Sequence, residues 1–383
     1  MIDAQTVFEP TMPAALARLH GVDPVAYAGT RNALDGAVTG LSPYFTHGLL
    51  DLPAALAVIR QRHPLGPQDK LVMEFGWREF FAHVWGHQGE QIFSDLRPAL
   101  AGVLYAGVLP QDIRTASTGV PVIDQAVRRL YSTGYLHNHA RMWLASYVVH
   151  LRKVHWRVGA DWLYAHLLDG DLASNHLSWQ WVAGTFSVKP YLFNAENVAR
   201  HAPRDWHSHH TLIDTSYEQL DLLARDAVDH GPEPSRPAPL VEPATLGAPP
   251  QPFAALPGTL PPAIRLVHPW SLGERADERF ALGVIHQPFH QRFAWSARRW
   301  KFVTTRLQDC CDAVFVGDLA TLLPQLQGSG VLARDTRNPG YHEALRHAPV
   351  TLEPVPRFLD DPAYCCQSFS KFYGLRGSAK WHS

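Results

Sequence analysis

The chain has 383 residues, 46% of them hydrophobic and 18% charged, with 34 Lys and Arg against 35 Asp and Glu and a formal net charge of -1. That length allows two domains with their own cores, and the composition excludes disordered and fibrous classes. The balanced charge excludes an overall basic field; no run of about 18 apolar residues exists, and Met1 to Thr11 lacks the basic and apolar regions of a signal peptide, so no membrane partner and a cytoplasmic location are expected.

From Pro13 to about Arg225 apolar residues recur at three- and four-residue spacing, which predicts an all-α domain over 14–225. Val120 to Leu130, Leu136 to Leu151 and Trp162 to Leu168 are its clearest helices. Near the start, Tyr27-x-x-x-Arg31 precedes Thr39-Gly40-Leu41-Ser42-Pro43, whose small hydroxyls at a helix start suit either a phosphate or a simple Ser-Pro initiation. Glu74 and Arg78 share a helical face, an arrangement that fits an i, i+4 ion pair as well as a ligand contact. Between Asp124 and Arg157 the bases Arg128, Arg129, Arg141, Arg152, Lys153 and Arg157 face one acid, Asp124, and aromatic residues lie among them. The favoured reading is a solvated helix face with aromatics turned inward; the alternative is a nucleic-acid surface.

The stretch from Tyr135 to Trp181 is the most informative. Asn138, Arg141 and Met142 share one face, and Asp171, Asn175 and Trp179 recur at i, i+4, i+8. With Asp169 they bring carboxylates, an arginine, amides and indoles onto one surface, which suits a large, flat, partly polar ligand such as a flavin. The cluster His207-Ser-His209-His210 reads as an exposed loop, and no metal site is expected.

A proline-rich linker is predicted over 226–262, then a small α/β domain over 263–383. Ile264 to Val267, Phe280 to Ile285, Ala313 to Val316, Val331 to Arg334 and Val350 to Val355 read as buried strands, with helices at Ala297 to Leu307 and Leu319 to Gln327, hence a largely parallel sheet. It holds no Gly-x-Gly-x-x-Gly fingerprint. The adjacent pairs Cys310-Cys311 and Cys365-Cys366 read as unbridged thiols.

Taken together, Thr39-Gly-Leu-Ser-Pro, Trp77-Arg-Glu-Phe, Thr118-Gly-Val-Pro-Val-Ile-Asp124, His137-Asn-His-Ala-Arg-Met142, Asp169-Gly-Asp171-Leu-Ala-Ser-Asn175 and Trp179-Gln-Trp181 resemble the FAD-binding helical domain of the DNA photolyases and cryptochromes. The fold expected from the resemblance is mainly α, a photolyase/cryptochrome-like helical domain followed by the small α/β domain. The resemblance implies FAD as cofactor, with Thr39 and Ser42 at its phosphates, Arg78 and Tyr27 on the same side, and Asn138, Arg141, Asp169, Asp171 and Asn175 around the isoalloxazine. It implies electron transfer into the flavin through Trp156 and Trp179, with Tyr105 or another residue in place of a distal tryptophan near Val103. It implies contacts to a cyclobutane pyrimidine dimer from Glu74, Trp77, Asn138, Met142 and Trp181, with Glu74 and Asn138 orienting it.

The implied activity is that of a deoxyribodipyrimidine photolyase acting on damaged DNA, single-stranded DNA included, and a monomer is expected. The rivals are a blue-light photoreceptor with a signalling partner and a flavoenzyme of different substrate. His139 stands for a family arginine expected at DNA phosphate, His176-Leu177-Ser178 for the usual Asn-Gly-Gly, and Thr185 to Asn194 for the usual loop. The family's α/β antenna domain has no counterpart before Tyr27, and the α/β domain over 263–383, with Ser296-Ala-Arg-Arg-Trp300 and Val314-Phe-Val-Gly-Asp318, resembles it moved to the other end.

Overall fold

The computed structural model describes residues 8–226, 246–252, 256–275 and 277–374, so most of the proline-rich stretch lies outside the described residues. The described chain forms helices throughout its first part and a parallel sheet in its last. It forms two compact units that are not contiguous: one combines Met1–Val7, Val25–Val38 and Gln88–Thr245, the other Phe8–Pro24, Thr39–His87 and Leu246–Ser383. The sequence reading drew its domain boundary at 225, whereas two helical stretches before residue 88 cluster with the α/β segment. Helical periodicity reports that a face is buried and is silent about which partner buries it.

In the first unit each helix is bounded by local chemistry. Pro121–Thr133 begins on Pro121 and ends at Gly134, whose φ of 69° lets its N–H reach the Leu130 carbonyl. From its first turn Asp124 accepts the Thr118 N–H at 2.9 Å and hydroxyl at 2.7 Å, so the Thr118 to Asp124 motif is a self-tied loop and helix start. Asn138–Ser146 runs into a π turn, Tyr147–Leu151, and together they span the helix predicted from Leu136 to Leu151. Trp156–His166 and Leu172–Ala183 follow. Their apolar faces share a core that contains Trp143, Trp162 and Trp179, each 2% exposed or less. Truncating one of these indoles to Ala costs about 3–5 kcal/mol.

In the second unit the seven strands among the described residues are β1 (Leu246–Gly247), β2 (Ala263–Val267), β3 (Phe280–His286), β4 (Trp295–Ser296), β5 (Ala313–Gly317), β6 (Gly330–Arg334) and β7 (Val350–Glu353). β1 and β4 form a two-residue antiparallel pair. The other five form a sheet of order β5-β3-β2-β6-β7, parallel throughout, as the buried apolar runs predicted. Chain order reverses between β2 and β6, the position where open α/β sheets leave a ligand crevice. Here the chain itself occupies that end: His47 Nδ1 bonds the Pro269 carbonyl at 2.7 Å, the Leu272 N–H bonds the His47 carbonyl at 2.9 Å, and Asp51 pairs with Arg334 at 2.9 Å. These bonds are the physical reason the Thr39–His87 segment clusters with the sheet.

Buried neutral histidines make the fold acid-sensitive. Burial lowers His137, His150 and His166 to about 4, with His139 and Arg141 adding repulsion at His137. The unfolded chain therefore binds protons first as pH falls from about 6.5 towards 4, so stability is full above that window and lost within it, on the order of 1–3 kcal/mol per histidine. The urea midpoint should drop from about pH 7 to about pH 5, less steeply in His150→Gln; a flat profile contradicts this reading.

Candidate functional site

The predicted site residues fall in both units, ten in the first and five in the second: Tyr27, Asn138, Arg141, Met142, Trp156, Asp169, Asp171, Asn175, Trp179 and Trp181, then Thr39, Ser42, Glu74, Trp77 and Arg78. In the first unit the anchor is Asp169, whose side chain is 2% exposed and accepts from Arg141 Nη2 at 2.9 and 2.7 Å. Arg141 Nε donates to the Leu136 carbonyl at 2.7 Å, so the guanidinium is fixed from two sides. Asn138, exposed at the start of the same helix, places its amide 3.7 Å from Met142 Sδ.

The loop after Asp169 leads into Leu172–Ala183. One oxygen of Asp171 caps that helix by accepting the Ser174 N–H at 2.7 Å, and Asn175 donates to the Ala160 carbonyl at 2.8 Å. Asp171 thus has a capping duty that its sequence position did not reveal. Trp181 is half-buried with its ring 5.8 Å from that of Tyr191, and Tyr27 is half-buried on Pro24–Thr30.

Trp156 and Trp179 are both 2% exposed. Trp179, on Leu172–Ala183, packs against the Trp156–His166 helix at Gly159, where a Cβ would come within 2.3 Å of its ring, one turn from Trp156. Trp156 Nε1 donates to Asp95 at 2.5 Å. Beyond it a cavity of about 10 Å³, room for a single water, is lined by Asp95, Tyr105, His155, Trp156 and Thr185 among others. Tyr105 therefore shares a cavity wall with Trp156, and burial followed by the Asp95 charge raises its pKa.

Arg128 of the basic stretch is exposed, but most of the stretch's cations are tied to partners instead of standing free on a solvated face. Arg152 pairs with Asp112 at 2.7 Å, Arg157 with Asp161 at 2.8 Å, and Arg128 donates to the Ala116 carbonyl at 2.8 Å. Lys153, buried, donates to the Leu223 and Ala224 carbonyls at 2.6 Å, at the negative end of Tyr217–Arg225. Burial lowers its pKa to about 8. The acids that balance these cations lie outside the segment, which is why a window count of charge missed them. The aromatics Tyr135, Trp143, Tyr147 and Trp156 are buried as expected.

His139 and His176, the departures from the family pattern, have local roles. His139 bonds the Asn32 carbonyl at 2.6 Å and stacks on Trp143 at 5.2 Å, so its ring is tied inward. His176, wholly buried, bonds the Leu172 carbonyl and Asp161, both at 2.9 Å. Burial alone would raise Asp161; His176 and Arg157 outweigh it and hold that carboxyl low. The histidine cluster forms part of a loop in which His209 and His210 are exposed and His209 lies 3.7 Å from Asp214.

In the second unit, Thr39 Oγ1 accepts the Leu41 N–H at 3.3 Å, Ser42 opens the short helix Ser42–Thr46, and Arg78 donates to Thr46 Oγ1 at 3.2 Å. Glu74, Trp77 and Arg78 lie on Lys70–Gln88, with Glu74 exposed and Trp77 half-buried. Trp77 stacks on Phe369 with ring centroids 4.0 Å apart and planes 9° from parallel.

Sequence reasoning missed a clasp beside it. Buried Glu79 pairs with Arg357 at 2.7 Å, and Arg357 also pairs with Asp361 at 2.6 Å. Asp361 bonds His83 Nδ1 at 2.5 Å, while His83 Nε2 accepts the Cys366 N–H at 2.9 Å. His83, His87 and Asp361 have ligand-type atoms within 4.8 Å of one another. Both His83 nitrogens are already engaged: a metal on Nδ1 would leave Nε2 protonated against an N–H, so the cluster serves as a tie. These partners are some 280 residues apart, beyond any local signal.

Replacing Asp169 by Asn should destabilise the protein by about 2–4 kcal/mol, because Arg141 keeps a charge whose partner is gone. In a cycle with Arg141→Gln, urea denaturation should show coupling of about 1–3 kcal/mol; additivity would mean the pair is not the anchor.

Residues 71–213 match the family model described as the FAD binding domain of DNA photolyase. The deoxyribodipyrimidine photo-lyase of Streptomyces griseus is 34% identical over 155 residues, 39% of this chain and 32% of that protein. That of Synechococcus sp. is 32% identical over 216 residues, 50% of this chain and 43% of that protein. A cryptochrome DASH of Gloeobacter violaceus is 31% identical over 126 residues, 30% of this chain and 23% of that protein. The chain therefore spans less than half the length of each of these relatives. Among solved structures, a cryptochrome from Synechocystis sp. aligns with a TM-score of 0.46 and 27% identity, covering 52% of this chain and 45% of that one. Residues 71–213 thus match a photolyase-type FAD-binding domain, and over such spans the chain is similar to photolyases and to a cryptochrome DASH.

Proposed function

We propose that this chain binds FAD and uses it for light-driven reversal of cyclobutane pyrimidine dimers in DNA. The observation that carries the reading is the Arg141–Asp169 pair, a guanidinium aimed by a carboxylate 2% exposed, within an FAD-binding domain. When bound, FAD supplies the photoexcited electron that opens the dimer and takes it back afterwards. Arg141 favours negative charge on the ring system it faces, and Asp169 holds it there so that little reorganisation is needed. Asp171 offers an acceptor to the polar edge, and Asn138 and Asn175 offer amides. On the second unit Thr39, Ser42 and Arg78 form the donor set assigned to the phosphates.

For the substrate, Glu74 and Asn138 orient the bases while Trp77, Met142 and Trp181 pack them; a dimer flipped from the stack needs aromatic walls and a partner for its imide groups. Trp179 and Trp156 carry electrons inward to the flavin. Both are buried, and the Asp95 carboxylate on the Trp156 N–H stabilises positive charge on that indole. The four cysteines form no disulfide, in keeping with the proposed cytoplasmic location. The described residues contain no helix long and apolar enough to cross a membrane, and a monomer is the proposed state.

The rival is a blue-light sensor that keeps the flavin and signals through a partner. It draws on His139, which is tied to Asn32 and Trp143 and so is withdrawn from phosphate contact.

Protein loaded with reduced FAD and illuminated with a thymine-dimer oligonucleotide, single and double stranded, should yield repaired product; none from either strand form sinks the repair reading. Asp169→Ala should purify with most of its flavin absorbance lost, and undiminished flavin would refute the site assignment. Trp156→Phe should keep FAD yet slow photoreduction about tenfold or more, the effect of roughly 1.4 kcal/mol on a barrier; an unchanged rate removes Trp156 from the path.

A further inference from the structure

The described chain ends in a six-residue helix, Phe369–Gly374, which belongs to the second unit together with Lys70–Gln88. Six residues do not hold a helix in water, so this one exists through its contacts. Phe369 lies face to face on Trp77 at 4.0 Å and 9°, the geometry a nucleobase adopts on an indole. Phe372 packs on Phe80 and His83, and the Tyr373 hydroxyl donates to the Pro67 carbonyl at 2.7 Å.

A second observation marks this docking as built into the sequence. Gly76 sits inside the 19-residue helix Lys70–Gln88, where alanine is the better helix former. A Cβ there would lie 2.4 Å from the Tyr373 ring, so the glycine gives up helix stability to admit the C-terminal helix. Upstream, the Cys366–His83 and Arg357–Glu79 bonds tether the segment to the same helix, and Gln367 and Ser368 are exposed between tether and cover.

We propose that the Phe369–Gly374 helix is a cover over Trp77, with Phe369 occupying the stacking face that a pyrimidine ring of DNA takes when the cover lifts. This rests on the reading of Trp77 as a base-stacking residue. Phe369 is then a specificity-determining residue: a base gains the Trp77 face only by replacing an existing aromatic stack. An unstrained stacked base competes poorly, whereas a ligand already held by other contacts displaces the cover.

The test opens the cover in two independent ways. Phe369→Ala removes the stacked ring, and Gly76→Ala evicts Tyr373 without substituting either Trp77 or Phe369. Trypsin cleavage after Lys371 reports release, and binding of labelled oligothymidylate, with and without ultraviolet-induced dimers, reports access. Both variants should cleave faster and bind about tenfold more tightly, the worth of one base–aromatic stack, and Trp77→Ala should cancel the gain. Equal gains for undamaged and dimer-bearing strands uphold the cover while removing the dimer-specific reading. Faster cleavage with unchanged affinity overturns the cover, as does a complete absence of oligonucleotide binding in the released variants. If Gly76→Ala neither speeds cleavage nor changes affinity, the glycine does not serve docking and the proposal falls.

Discussion

The site depends on one buried carboxylate. Asp169 is held almost out of water and is stable as an anion there because Arg141 spans both its oxygens. The same pair fixes the start of Asn138–Ser146 against the loop that launches Leu172–Ala183, so residues far apart in sequence meet on one surface. Desolvation makes such a pair costly to assemble, and a purely structural contact between these helices would be better made with apolar groups. Its persistence is understandable if a ligand uses the guanidinium, and FAD is the ligand that the domain match supports.

The tryptophans follow a similar economy of space. Gly159 and Gly76 sit within helices, where they are poor formers, and each admits one large ring, Trp179 and Tyr373 respectively. In the first unit this sets Trp179 close to the turn that carries Trp156, leading towards the small cavity with Tyr105 and Asp95. In the second it lets a short helix lie over Trp77. In both units a helix glycine therefore sets where a large aromatic ring lies.

Much of the fold was legible because its signals are local. All five strands of the parallel sheet were predicted within a residue or two, since continuous apolar runs between turn residues announce buried parallel strands. The helices read from Val120 and Leu136 were legible for the same reason, whereas the one read from Trp162 to Leu168 runs from Trp156 to His166, and the tie of Asp124 to Thr118 came only from the structure. Partnership was not legible. Periodicity did not show that Thr39–His87 clusters with the sheet, nor that Asp112 and Asp161 neutralise a seemingly basic stretch. Glu79, His83, Arg357 and Asp361 gave no signal at all, because the residues that join are far apart in the chain. The family pattern identified Asp169 and Arg141 by type and spacing; only the structure showed Asp171 and Asn175 also bonded to backbone.

The central claim is that the Arg141–Asp169 surface receives the flavin ring. A crystal structure of the protein grown with FAD tests it most directly. The account predicts the isoalloxazine within hydrogen-bond distance of Arg141, with Asp171 at its polar edge and the Arg141–Asp169 pair unbroken. FAD bound away from Arg141, or bound there with Asp169 released from the arginine, would contradict it.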